Sequence, residues 1–423
     1  MKTLDVFLSG ELAGSLSQTS SGDLFFTYDD TYRSQSGATP LSLSMPLSSS
    51  RHKRRAALPF FQGLLPDSET ALQAVGSHFG VSWRNPFALL EHLGRDVVGA
   101  VEILPGTPEP SADARDQESK TLSDEEVGMI LRSVATEYET GTTVGERGGY
   151  FSVAGMQPKA ALRRQGNQWM IPDAQHPTTH IIKPSLGAFP RIDLAEYMTM
   201  SVAKMLGLKV ADCQLMEIDG LNCLVVERFD RESVDGKTER LHQEDCAQAL
   251  SVLPSKKYQR LDGGPGLAAI AQLFDSFPHQ QDRRQAARDF FEAVVFNTVA
   301  GCTDAHAKNY SLLLSGSRVT LAPLYDLVTY AGYWDRESPV LMAMSIDKEY
   351  RLGHISPSAL AAEGERFGWG EDGHDLVHSM RERVGPLFEQ VGETLREEKP
   401  DAAAFIEGLI TGVQQLPLVL RGN

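Results

Sequence analysis

A chain of 423 residues is too long for one ordinary core, and two or three packed units are expected. Its 41% hydrophobic and 23% charged residues suit a folded globular protein. No run nears the ~20 apolar residues of a membrane span, and none follows Lys2 as in a secretory signal, so a cytoplasmic protein is expected. The net charge of −16 (40 Lys+Arg against 56 Asp+Glu) repels phosphates and excludes DNA binding by the chain's overall field.

In chain order, residues 3–32 read as short strands: Leu4, Val6 and Leu8 alternate, and Leu24 to Tyr28 follow the polar turn Ser20-Ser21-Gly22-Asp23. The basic run Arg51-His52-Lys53-Arg54-Arg55 reads as a solvated loop, or as a small contact for an anionic partner. Helical spacing marks 67–93, and Val97 to Leu104 reads as a strand. Segment 105–122, opening Pro105-Gly106-Thr107-Pro108, is the linker candidate. Ser123 with Glu126 three residues on reads as a capped helix start. From about 148 to 230 the pattern is strands with one helix, 193–206, stopped by Gly207; beyond 240 it is mostly helical. Cys213, Cys223, Cys246 and Cys302 form no C-x-x-C pair, so buried, reduced thiols are expected.

The most informative run is Gly301-Cys302-Thr303-Asp304-Ala305-His306-Ala307-Lys308-Asn309, between a buried helix and a strand. Asp304 and Asn309 have the spacing of a kinase catalytic loop, in which an Asp accepts the substrate hydroxyl proton and an Asn binds a metal ion. Asp326 follows the next strand, where a kinase places its principal Mg²⁺ ligand. One such match is an accident of loop carboxylates; the combination favours chemistry. Lys308 can neutralise a transferring phosphoryl group, and His306 reads as structural or phosphate-proximal. Upstream, Ser152 to Lys159 is a single-Gly turn whose amides could cover phosphates, though it is not a P-loop. Lys183, ending an apolar strand, needs an anion, and Glu196 on the following helix is the candidate. Glu227, Arg228 and Phe229 end the last strand of this half, where a hinge would face an adenine ring.

These segments, together with Phe61-Gln62-Gly63-Leu64-Leu65-Pro66-Asp67, Gly94-Arg95-Asp96-Val97-Val98-Gly99-Ala100, Gln243-Glu244-Asp245 and Asp262-Gly263-Gly264-Pro265-Gly266, resemble the HipA family of toxin kinases. The resemblance runs nearly end to end. It implies an α+β, protein-kinase-like two-lobe fold: an N-terminal β-rich subdomain (1–104), a linker (105–122), an N-lobe-like region (123–232) and an all-helical C-terminal lobe (233–423). It implies ATP and Mg²⁺, Ser/Thr protein phosphorylation, and an aminoacyl-tRNA synthetase such as the glutamyl enzyme as target, which arrests translation and drives dormancy. It implies a HipB-like helix-turn-helix antitoxin as partner, and operator DNA reached mainly through that antitoxin, so the cytoplasmic chain would be nucleoid-associated in the complex. Residue by residue it makes Asp304 the base and Asn309 and Asp326 the metal ligands. Ala154, Gly155, Met156, Gln157, Pro158, Lys159, Lys183, Glu227, Arg228, Phe229, His306, Lys308 and Tyr325 become ATP contacts, with Glu196 pairing Lys183. Ser152 sits where such kinases autophosphorylate.

Two other classes compete: a non-catalytic corepressor that keeps the fold, and a metal hydrolase using Asp304, His306 and Asp326. The retention of Lys183, Asp304, Asn309 and Asp326 argues against the first. The lack of a second nearby His or Cys argues against the second.

Overall fold

Alternation of buried and half-exposed residues builds the first sheet in the computed structural model, which describes residues 1–106, 120–141, 157–173 and 175–420. Five strands, β1 (Lys2–Leu8), β2 (Glu11–Gln18), β3 (Leu24–Tyr28), β4 (Arg51–His52) and β5 (Val101–Pro105), lie in the order β4-β3-β2-β1-β5. Ser9 and Gly10, both at positive φ, turn β1 into β2, as a two-residue hairpin requires. Helices Arg54–Gly63, Glu69–Phe79 and Pro86–Leu93 bury Phe60, Phe61, Val75, Phe87 and Leu90 in one core with Leu4, Val6, Leu16 and Phe26. The basic run is regular structure rather than a loop: Arg51–His52 is strand β4, Arg54 starts a helix, and the Arg51 guanidinium stacks 3.9 Å over Phe25. The strand expected from Val97 begins only at Val101, because Gly99 takes φ +75 and gives its N–H to Asp230 instead of a ladder.

The second sheet has six strands: β6 (Thr121–Leu122), β7 (Ala160–Gln165), β8 (Gln168–Met170), β9 (His180–Pro184), β10 (Cys213–Ile218) and β11 (Leu221–Glu227), in the order β10-β11-β9-β7-β8-β6. Helix Asp124–Thr140 packs on it, burying Val127 and Leu131 with Leu162, Trp169, Ile182 and Val225. The Ser123–Glu126 capping box forms as expected, each side chain accepting from the other's backbone N–H.

The chain divides into two compact units. The first comprises Met1–Gly187, Met216–Ser255 and Leu313–Ser317; the second comprises Ala188–Leu215, Lys256–Leu312 and Arg318–Asn423. In the second, helices Ile192–Met205, Leu267–Asp275, Gln280–Val299, Pro357–Glu363, Asp372–Glu398 and Ala403–Gln414 dominate. Phe274, Phe290, Phe291 and Phe367 form a buried aromatic cluster. The region 233–423 is helical in bulk but not throughout. Leu341–Ile346 and Glu349–Arg351 pair as a hairpin. Its turn is Asp347-Lys348, both at positive φ, rather than the Asn-Gly signal that betrays such turns in a sequence. The fold class is α+β. All four cysteines are free, three of them buried. No helix among the described residues is long and apolar enough to cross a membrane.

Candidate active site

Helix Gln280–Val299 buries an almost unbroken run, Phe290, Phe291 and Ala293 to Val299, so its C-terminus is a fixed platform. The chain leaves it through Gly301 at φ +68, and Cys302 N–H donates back to Asn297 O at 2.8 Å. The following turn is closed by its own hydrogen bonds. His306 N–H donates to Asp304 O (2.8 Å), Asn309 N–H donates to His306 O (2.9 Å), and Asn309 Nδ2 donates to Asp304 O (2.9 Å). Ala343 N–H from the hairpin holds Thr303 O from the other side. Asp304 is thereby presented outward with its side chain 65% exposed, while His306 and Lys308 are buried beneath it. His306 Nε2 lies 4.0 Å from Asp304 Oδ2.

Asp326 reaches the same region through its neighbour. Leu324 is pinned by exchanging hydrogen bonds with Lys209 and Ala211. Tyr325 Oη then donates to Lys308 O at 2.7 Å and lies 2.8 Å from Ser311 Oγ. Asp326 takes φ +57, a conformation Asp tolerates better than most residues but that still costs energy. Asp304, His306, Lys308, Asn309 and Tyr325 are thus brought together by direct contacts, with Asp326 next in the chain.

The remaining candidates belong to the first unit, apart from Glu196, which is buried on helix Ile192–Met205 of the second. Lys183 is buried on β9, between β7 and β11, its Cα opposite Leu224. Because Ala160 pairs with Ile182 in antiparallel register, Lys159 and Lys183 lie at the same end of adjacent strands. Gln157, Pro158 and Lys159 are half-buried; Ser152, Ala154, Gly155 and Met156 lie outside the described residues. Glu227 is exposed and Phe229 half-buried.

Arg228, by contrast, is committed to the protein interior. Its guanidinium holds both Asp230 oxygens (2.9 and 2.8 Å), Thr178 Oγ1 (2.7 Å) and Val97 O (3.1 Å). Its N–H goes to Thr179 O, and its carbonyl accepts from Arg231. Arg231 in turn binds Asp96 (2.9 Å), Gly99 O and Val97 O, and Gln243 Nε2 donates to Asp230 at 2.8 Å. Burial alone would raise the pKa of Asp96 and Asp230, but the surrounding arginines hold both below the usual carboxylate range. Burial and the like charge of Arg228 lower Arg231 to about 10. Arg228 can therefore serve a hinge only by fixing Glu227 and Phe229. The sequence showed these motifs without their partners, which sit 131 and 135 residues away.

The family model for the HipA N-terminal domain matches residues 4–104, and the model for the HipA-like C-terminal domain matches residues 151–397. The chain belongs to the HipA family. A Shewanella oneidensis serine/threonine-protein kinase toxin HipA is 31% identical over 417 residues, covering 96% of this chain and 92% of that protein. A Sinorhizobium fredii protein named "Putative kinase Y4mE" is 33% identical, covering 95% and 93%. A solved Shewanella oneidensis complex of HipA, HipB and operator DNA matches this HipA-family chain with TM-score 0.78 and 25% identity, covering 98% and 97%. Kinase activity is therefore the family's activity. The HipA motif Asp230 with Gln243 proves to be a buried ion network, and Glu244 of the same motif is bonded to Ser42 Oγ (2.5 Å) and Leu43 N–H (2.7 Å).

Proposed function

We propose that this chain is an ATP-dependent Ser/Thr protein kinase toxin, silenced by a HipB-like helix-turn-helix antitoxin. The observation that carries the reading is the closed turn 303–309, which presents Asp304 outward and fixes Asn309 beside it. Because Asn309 Nδ2 is spent on Asp304 O, its side-chain oxygen is the atom left for a cation. That amide oxygen and the Asp326 carboxylate are hard donors of the kind Mg²⁺ takes while keeping waters and phosphates. Bound there, Mg²⁺ would neutralise charge on the β- and γ-phosphates.

Asp304 accepts the proton of a Ser or Thr hydroxyl as that oxygen bonds to the γ-phosphorus; the bond to the β,γ-bridging oxygen breaks and ADP leaves. Lys308 and His306 belong to the same turn, where the Lys308 charge favours the transferring group and His306 is phosphate-proximal. Lys159 and Lys183 supply cations for the other phosphates, with Glu196 the partner of Lys183. Glu227 and Phe229 flank the adenine, and Tyr325 fixes Lys308. Ser152 is the autophosphorylation site, where a phosphate adds about −1.5 to −2 charges. The target is a translation protein, an aminoacyl-tRNA synthetase in this reading, and operator DNA is reached through the antitoxin; the Shewanella complex holds HipA, HipB and operator DNA together. The −16 charge of the chain supports that division of labour.

Incubation of the purified chain with Mg²⁺ and labelled ATP tests this. The expected result is phosphate mapped by mass spectrometry to Ser152 and lost in Asp326→Ala. Intact nucleotide binding with no label in the wild type would replace the kinase by a corepressor.

A further inference from the structure

The motif Asp262-Gly263-Gly264-Pro265-Gly266 contributes no group to the chemistry above, yet the fold uses it beside the site. It closes a short helix, Gln259–Asp262, under the residue that precedes it, Tyr258. Gly263 takes φ +69 and Gly264 N–H donates to Tyr258 O at 3.0 Å. A Cβ on Gly264 would fall 2.2 Å from Lys256 O, and one on Gly266 would fall 2.3 Å from Gln259 Nε2. Only glycine lets the chain fold this tightly.

The helix is then tied to the hairpin. Gln259 Oε1 accepts from Ser345 N–H (2.9 Å) and Ser345 Oγ (3.3 Å). Two residues earlier on the same strand, Ala343 N–H holds Thr303 O. One strand therefore sets the position of Tyr258 and of Asp304 together. The result is a direct contact: the Tyr258 hydroxyl donates to Asp304 Oδ1 at 2.7 Å. Its ring stands edge-on to His306, with centroids 5.1 Å apart and planes at 76°.

We propose that Tyr258 is a positioning residue for phosphoryl transfer, its hydroxyl holding Asp304 Oδ1 and so orienting the carboxylate toward the acceptor hydroxyl. The proposal rests on the kinase reading. A carboxylate this exposed otherwise samples several rotamers, and transfer needs its oxygen within hydrogen-bond reach of the acceptor. A donor anchored through Gln259 and the glycine turn confines it to one. The glycine motif then has a function: it fixes the distance between the tyrosine and the base.

The test uses the full chain with Mg²⁺, labelled ATP and dephosphorylated casein, following label in the chain and in casein. Tyr258→Phe keeps the ring and its packing on His306, so its melting curve should match the wild type. It is expected to lower kcat between roughly 10-fold and 10²-fold, the scale set by a misplaced catalytic group, with KM for ATP unchanged. Gln259→Ala should lower kcat in the same direction, and the double variant should lose little more than Tyr258→Phe alone, since the two act through one contact. An unimpaired Tyr258→Phe, a faster one, or fully additive losses would each overturn the proposal while Asp304-dependent transfer by the wild type left the kinase reading standing. A wild type that transfers no phosphate would sink both.

Discussion

Asp230 sits fully enclosed with both oxygens on Arg228, a second cation at Arg231 (3.2 Å) and a donor from Gln243. Removing one partner from such a network leaves an uncompensated buried charge, which costs about 3–5 kcal/mol. Asp230→Asn should therefore lower the unfolding free energy obtained from urea titration by that order, and a variant as stable as the wild type would show the network to be dispensable. Glu244 behaves differently, because burial outweighs its two hydrogen bonds and pushes its pKa up to about 8 from 4.5, Asp245 adding to the rise. Between those values the folded chain keeps a proton that the unfolded chain releases. Its contribution is complete below about pH 4.5 and is lost as pH climbs through about 8, at roughly 1.4 kcal/mol per unit at most. Glu244→Gln keeps an acceptor for Leu43 N–H and should flatten the fall in melting temperature across that window. An unchanged slope would mean that another group titrates.

At the scale of elements, helix Gln280–Val299 and its turn act as one piece. Phe290 touches Phe274, Tyr310 and Phe367, and Asn297 Nδ2 donates to the Tyr310 hydroxyl at 2.8 Å. Phe290→Ala should cost about 3–5 kcal/mol as a core cavity, and calorimetry would register it as a lower melting temperature. What was legible in advance follows the same logic of distance. The Ser123–Glu126 cap, the helix before Gly301 and the Asp304–Asn309 spacing are local, so residue type and separation suffice to find them. Tyr258 on Asp304 spans 46 residues and Arg231 on Asp96 spans 135, and nothing in either segment names its partner. Stretches that departed from expectation have local features: Arg51 in strand β4 packs on Phe25, Gly99 stops a strand to feed Asp230, and the hairpin within 233–423 turns on Asp347-Lys348 without an Asn-Gly signal.

For the whole molecule, family membership and two compact units accompany a net charge of −16, whose field repels phosphates. Alone, the chain should not shift operator DNA at physiological salt; with a basic helix-turn-helix partner it should, and binding by the chain alone would contradict the proposed division. The most direct test remains Asp304. Transfer of labelled γ-phosphate from Mg·ATP to a Ser/Thr protein acceptor should be measured for the wild type and for Asp304→Ala, with nucleotide binding followed in parallel. The expected result is a rate at least ~10²-fold lower in the variant, the scale of lost general-base help, with ATP still bound. Equal rates in the two proteins would contradict the assignment of Asp304 as the base.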